Sequence, residues 1–172
     1  MSKSRSAGGT PATVALARAG VTFSLHPYDH HPDATSYGDE AAQALGVDPH
    51  RIFKTLLSEL VGAGGGTELA VAVVPVADQL DLKAMAAACG AKRATIAEPA
   101  AASRSCGYVL GGISPLGQRT RLRTVLDASA MSFETIFVSA GKRGLQVELA
   151  PTDLLEVTSA LLEPIAVAGS AS

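Results

Sequence analysis

The sequence predicts an α+β fold: a single domain with a mixed, partly curled and barrel-like β-sheet and surrounding helices. Three observations carry this. Strand-like segments occur in clusters and do not alternate strictly with helices, which disfavours a doubly wound parallel sheet. The run Leu69 to Val76 is almost wholly apolar, as a strand covered on both faces must be. The glycine-rich stretch Gly62-Ala63-Gly64-Gly65-Gly66-Thr67 lies between two strand patterns and reads as a hairpin loop, not an interdomain linker.

The elements follow in order. Thr10-Pro11 is an N-cap and first-turn pair for a short helix that Gly20 stops. Val21 to His26 alternates and reads as a strand. His30 to Gly38 is a loop, Asp39 to Leu45 a helix ended by Gly46, and Asp48-Pro49 a turn. Ile52 to Val61 is a second strand. After the strand at 69–76, Asp81 caps a helix running to Cys89 and ended by Gly90. Arg93 to Ala97 is a short strand, and Glu98-Pro99 opens a helix that ends near Gly107. Tyr108 to Leu110 reads as a strand leading into Gly111-Gly112-Ile113-Ser114-Pro115. Three β segments follow, Leu122–Leu126, Thr135–Ser139 and Leu145–Leu149, the last two flanking a turn at Gly141–Gly144. Thr152 caps a final helix through about Leu162. The domain is expected over residues 11–166, with flexible tails at 1–10 and 167–172.

Composition narrows the function. The chain has 172 residues, enough for one domain with a real core. A net charge of −2 argues against a protein that coats nucleic acid through global basicity. No apolar run reaches the ~18 residues of a membrane span, and the N-terminus has no apolar signal core. A cytoplasmic location is therefore expected, with no membrane and no DNA partner. Cys89 and Cys106 lack metal-ligand spacing and read as buried hydrophobes in a reduced compartment. The four histidines form no metal set, so no metal and no cofactor is expected.

The chemistry concentrates in three places. Lys54 sits among apolar residues on a strand, on the same face as Ile52 and Leu56. If that face is buried, its ammonium needs a partner or a ligand; otherwise Lys54 is an edge-strand lysine with a wet head. The pair Gly111-Gly112 lets backbone approach a ligand closely, and Pro115 stiffens the turn beyond it. Arg119, Arg121 and Arg123 recur at every second position, either a phosphate-contacting stripe or a solvated face; Lys142 and Arg143 could extend it. Ser114 lies in GGISP and not in GxSxG, so it is not read as an acyl-enzyme serine.

Seven segments in order then become recognisable: Phe23–Tyr28, Tyr37–Glu40, Phe53–Leu57, Leu69–Val73, Gln79–Lys83, Gly107–Gly117 and Val138–Gly144. Together, over about Thr13 to Leu162, they resemble the YbaK family of freestanding trans-editing proteins, similar to the editing domain inserted in bacterial prolyl-tRNA synthetases. The resemblance implies that fold type and an aminoacyl-tRNA deacylase that clears cysteine from the proline tRNA and also acts on cysteinyl-tRNA(Cys). The partner it implies is the acceptor end of aminoacylated tRNA, with prolyl-tRNA synthetase as a candidate second partner. The family's invariant lysine falls on Lys54, its glycine loop on Gly111 to Pro115, and its pocket positions on Tyr28, Tyr37, Thr55 and Ser139. Two positions depart: Tyr37, where relatives carry Phe, and Gln146, where relatives carry Asp.

On this reading Lys54 binds the terminal adenosine or its phosphate, and the N–H groups of Gly111 and Gly112 hold the carbonyl oxygen as charge develops. No protein nucleophile is needed, because a cysteinyl thiol can attack its own ester carbonyl; a positioned water is the rival. Two other classes stay open: hydrolytic editing of Ala-tRNA(Pro), and a non-catalytic module that grips aminoacyl-tRNA or a synthetase.

Overall fold

The structure is a computed structural model and describes residues 9–34 and 36–169. Most of the two expected tails, residues 1–8 and 170–172, lies outside the described residues.

Helix α1 (Pro11–Ala19) begins as expected: Thr10 and Thr13 form a reciprocal capping box, and Gly20 closes the helix in the left-handed region at φ 72°. Strand β1 (Phe23–Pro27) follows. Helix α2 (Tyr37–Leu45) starts two residues earlier than its sequence pattern suggests, because Ser36 is its cap and accepts from the Asp39 N–H. Asp39 and Glu40 then fall in the first turn, where the helix dipole favours acids.

Strands β2 (Phe53–Val61) and β3 (Thr67–Pro75) form the expected hairpin, with Phe53 opposite Pro75 and Val61 opposite Thr67. The tip closes through the Gly62 N–H on Gly66 O and the Gly65 N–H on Gly62 O. Beyond come β4 (Asp78–Leu80), α3 (Leu82–Ala88), β5 (Arg93–Ile96), α4 (Pro99–Cys106) and β6 (Arg123–Asp127). A short 3-10 turn over Ala128–Ser132 leads to β7 (Ile136–Lys142), β8 (Leu145–Leu149) and α5 (Pro151–Thr158), followed by β9 (Leu161–Glu163) and β10 (Ala166–Ala168).

The strands form three sheets, ordered β5-β2-β3-β6-β9, β1-β8-β7 and β10-β4, and none closes into a barrel. The five-stranded sheet is mixed: β2 pairs antiparallel with β3 and β5, while β3–β6 and β6–β9 are parallel. Its two faces bury different cores. Val71, Val73 and Leu126 pack on one side with Leu16, Leu116 and Val138. Ala70, Ala72, Val74 and Val125 pack on the other with Met85 and Ile165. That two-sided burial is why β3 carries no polar alternation. Each fully buried large side chain contributes about 1.5–3 kcal/mol.

Four expectations need correction. Tyr108 to Leu110 is not a strand; it is an irregular segment anchored by the buried Tyr108, whose hydroxyl donates to Leu116 O at 2.6 Å. The last helix ends at Thr158 and not near Leu162, with Ser159 in the left-handed region at φ 56°. Ala150, with Pro151 after it, takes the cap position expected of Thr152. Val167 and Ala168, expected in a loose tail, pair with Gln79 and Asp78. Asp127 fixes this C-terminal segment: its buried carboxylate accepts from the N–H groups of Ile165 and Ala166 at 2.9 Å, and from the N–H and hydroxyl of Ser129.

Candidate active site

The two larger sheets meet where Ile52 bridges Phe137, just before β2 begins. A cleft of about 260 Å³ opens at this seam. The start of β2 supplies Lys54 and Thr55, the paired positions of β7 and β8 supply Ser139 and Gln146, and the N-terminal turn of α2 supplies Tyr37. The segment after α4 supplies Gly111 and Ile113. Lys54 and the glycine turn, 57 residues apart in sequence, therefore line one cavity.

Lys54 lines this cleft together with its neighbours Ile52 to Leu56. It is half-buried, and among the described residues its ammonium forms no ion pair. Burial lowers its pKa from the ordinary lysine value, and the negative charges of Asp39 and Asp78 oppose that shift. A partly desolvated, unpaired cation in a cleft suits a phosphate or a developing oxyanion.

The glycine pair divides its tasks. Val109 to Gly112 form a turn closed by the Gly112 N–H on Val109 O at 2.9 Å, with Gly111 at φ 88° in the third position, where only a positive φ fits a type II geometry. The Gly112 N–H is thus committed to the turn, and the expectation that both N–H groups hold a carbonyl oxygen is corrected. The Gly111 N–H keeps no protein acceptor among the described residues. Gly112 is small for a packing reason: a Cβ there would lie 2.8 Å from the Lys142 Cα. Ser114 and Pro115 are buried behind the turn and do not line the cleft; the Ser114 hydroxyl accepts from the Leu116 N–H.

Tyr37 forms a wall of the mouth. The Arg143 guanidinium lies 5.1 Å from its ring centre, and Arg143 Nε donates to Leu110 O at 2.8 Å. The His30 ring sits 5.9 Å away, held by Glu40. Tyr28 does not line the cleft. Burial raises its pKa, and the Gly144 backbone and the nearby Gln146 side chain oppose that shift. Thr55 Oγ1 and Gln146 Oε1 are buried without a hydrogen-bond partner among the described residues.

Residues 31–157 match the aminoacyl-tRNA editing domain, a known protein family. The chain belongs to that family. A protein of Enterococcus faecalis (strain ATCC 700802 / V583), named "Putative Cys-tRNA(Pro)/Cys-tRNA(Cys) deacylase EbsC", is 40% identical over 121 residues, which is 70% of this chain and 71% of that protein. "Uncharacterized protein YwhH" of Bacillus subtilis (strain 168) is 30% identical over 118 residues, covering 69% of this chain and 72% of its own. Among solved structures, a "putative trans-editing enzyme for prolyl tRNA synthetase" superposes with a TM-score of 0.77 at 24% identity, covering 93% of this chain and 97% of that one. The α+β editing-domain fold read from the sequence is thereby established.

Within this editing domain the arginines do not form one stripe. Only Arg123 lies on a strand; Arg119 sits on a bend that continues through Thr120, and Arg121 lies in irregular chain, so the period-two argument fails for them. Arg119 packs beside Gly107, Arg121 donates to Ser159 Oγ, and Arg123 binds Glu68 and Cys89 O. None of the three lines the cleft, whereas Arg143 borders it. Arg121 instead lines a second hollow of about 170 Å³ behind the glycine segment. Sequence reasoning missed Gly38 and Val76 as cleft residues; a Cβ on Gly38 would stand 2.6 Å from Val76 Cγ2, a closeness no local pattern encodes. No helix among the described residues is long and apolar enough to cross a membrane, and none of their His, Cys, Asp and Glu side chains cluster in threes that could hold a metal.

Proposed function

We propose that this editing domain is an aminoacyl-tRNA deacylase that removes cysteine from mischarged Cys-tRNA(Pro), and also from Cys-tRNA(Cys), acting in trans on the acceptor end. The observation that carries the reading is the shared cleft of Lys54 and Gly111. The 40% identical relative bears the same activity in its name.

The chemistry asks little of the protein, because the ester that joins an amino acid to tRNA is already activated. Lys54 receives the phosphate or ribose oxygen of the terminal adenosine and stabilises negative charge near the leaving group. The Gly111 N–H supports the carbonyl oxygen as it becomes tetrahedral. The substrate thiol then attacks the carbonyl carbon: the S–C bond forms, the ester C–O bond breaks, the ribose oxygen takes a proton, and a thiolactone leaves. Proximity supplies the acceleration. Arg143, with Lys142 beside it, meets the backbone phosphates at the cleft mouth. Prolyl-tRNA synthetase is the protein partner that would bring proline tRNA to this site.

A panel of tRNA(Pro) and tRNA(Cys) carrying cysteine, homocysteine, serine or alanine tests the reading. Cysteinyl esters are expected to be cleaved fastest. Fast cleavage of serine and alanine esters would replace thiol assistance by water and favour alanine editing; no cleavage of any ester would leave a binding module.

A further inference from the structure

Among the described residues the cleft is lined by one charged side chain, Lys54, and by no carboxylate. Asp39 and Asp78 act on Lys54 through space but do not line the cavity. An aminoacyl ester carries an α-ammonium group, so on the reading proposed above a second cation enters a space that already holds one. Like charges in a partly desolvated site disfavour each other, and a phosphate that pairs with Lys54 leaves no anion over for the amine.

Two residues that line the cleft carry a buried side-chain oxygen with no hydrogen-bond partner among the described residues, Thr55 Oγ1 and Gln146 Oε1. Buried polar atoms are nearly always satisfied, so an unsatisfied pair on residues lining one cavity is where a ligand can supply donors. Gln146 is 7% exposed. Its position is set on two sides: its backbone pairs with Ser139 across β7 and β8, and its side chain lies near the Tyr28 phenol. An oriented carboxamide offers a neutral oxygen, which accepts from an ammonium N–H, whose charge-assisted bond is the stronger but which Lys54 repels, and from a hydroxyl O–H, which Lys54 does not; a carboxylate would add a full ion pair and select the ammonium.

We propose that Gln146, together with Thr55, reads the α-substituent of the esterified acid as a hydrogen-bond donor irrespective of charge. The site therefore takes α-hydroxyacyl-tRNA esters as a second substrate class. An ester without an α-donor leaves both oxygens unpaired and is rejected, as sites built around a substrate hydrogen bond reject analogues that lack it.

The test uses three esters of one side chain on one tRNA, made with an acylating ribozyme: the α-amino, the α-hydroxy and the unsubstituted acid, with the side chain that the panel above finds fastest. In the wild-type protein, kcat/KM for amino and hydroxy esters should agree within about threefold, with the unsubstituted ester at least tenfold slower. Gln146→Glu keeps the shape and adds the charge, and should shift preference at least tenfold towards the amino ester. Gln146→Met removes the acceptor and should slow both donor esters together, which keeps the proposal testable if the Glu variant folds poorly. A wild-type preference for the amino ester above tenfold, or unsubstituted ester cleaved as fast as the others, overturns the inference while the deacylase reading stands. No turnover of any ester overturns both.

Discussion

The ring of Tyr37 occupies the space a side chain on Gly111 would need: a Cβ there would lie 2.7 Å from Tyr37 Cδ1. The contact joins the first residue of α2 to the glycine turn, and so fixes the width of the cleft between them. Gly111 also holds φ 88°, which costs an L-residue about 1–2 kcal/mol. Gly111→Ala should therefore lower Tm by roughly 2–8 °C and reduce deacylation at least tenfold by displacing Tyr37. Thermal melting and turnover on the same preparation check this; an unchanged Tm with full activity would mean the turn tolerates a side chain.

Lys54 separates activity from stability. Because burial depresses its folded pKa, its charge opposes folding wherever it is protonated, and that cost is relieved only as pH rises through the folded pKa towards 10.5. Lys54→Met should thus melt at or above the wild-type temperature at pH 7, while kcat/KM falls on the order of 10²–10³. Wild-type activity should decline on the alkaline side below pH 10.5, as the ammonium is lost. Normal turnover in the Met variant removes Lys54 from the mechanism.

The cations differ in expected role. Arg143 faces Tyr37 at the mouth, so Arg143→Ala should raise KM for charged tRNA several-fold and reduce the slope of log KM against log salt by about one contact. Arg123 is tied to Glu68 at 3.0 Å, so Arg123→Ala should leave KM near wild type and cost stability by less than about 1 kcal/mol. A salt titration of both variants decides; the reverse pattern would place tRNA on the β6 side.

Glu148 governs part of the acid limb. Its carboxylate is held below the ordinary value of 4.5 first by the Thr135 hydroxyl, then by His26 and Arg51. A depressed carboxylate contributes stability that is present above 4.5 and lost as pH falls through the lower folded value. Glu148 is 23% exposed, so solvent screens the effect to about 0.5–1 kcal/mol. Thr135→Val should destabilise by this amount at pH 7 and by clearly less near pH 3, measured by urea denaturation at each pH. A pH-independent loss would assign Thr135 a packing role only.

The sequence signals that read correctly were local. The capping box at Thr10, the glycine hairpin at 62–67 and the apolar β3 each follow from short-range preference or from a two-sided core. Lys54 left two readings open in its strand pattern, and the family resemblance singled it out; the structure places it in the cleft. The misreadings depended on distant partners. Tyr108–Leu110 looks like a strand but pairs with none, since Tyr108 turns inward to Leu116. The arginine repeat looks like a stripe only if the chain is extended, and bends at 119 and 120 break it. Residues 161–163 carry helix-compatible leucines, yet β6 offers them a parallel edge. The role of Gln146 needed Tyr28 and the cleft to be seen together.

Asp127 sets a practical limit on how the protein can be trimmed. Ending the chain before Ile165 would delete two of the amides that its carboxylate faces and strand an anion in the interior. An affinity tag appended after residue 169 leaves that arrangement whole, so expression plasmids that keep Ala166 to Gly169 should yield folded material where shorter ones give aggregates.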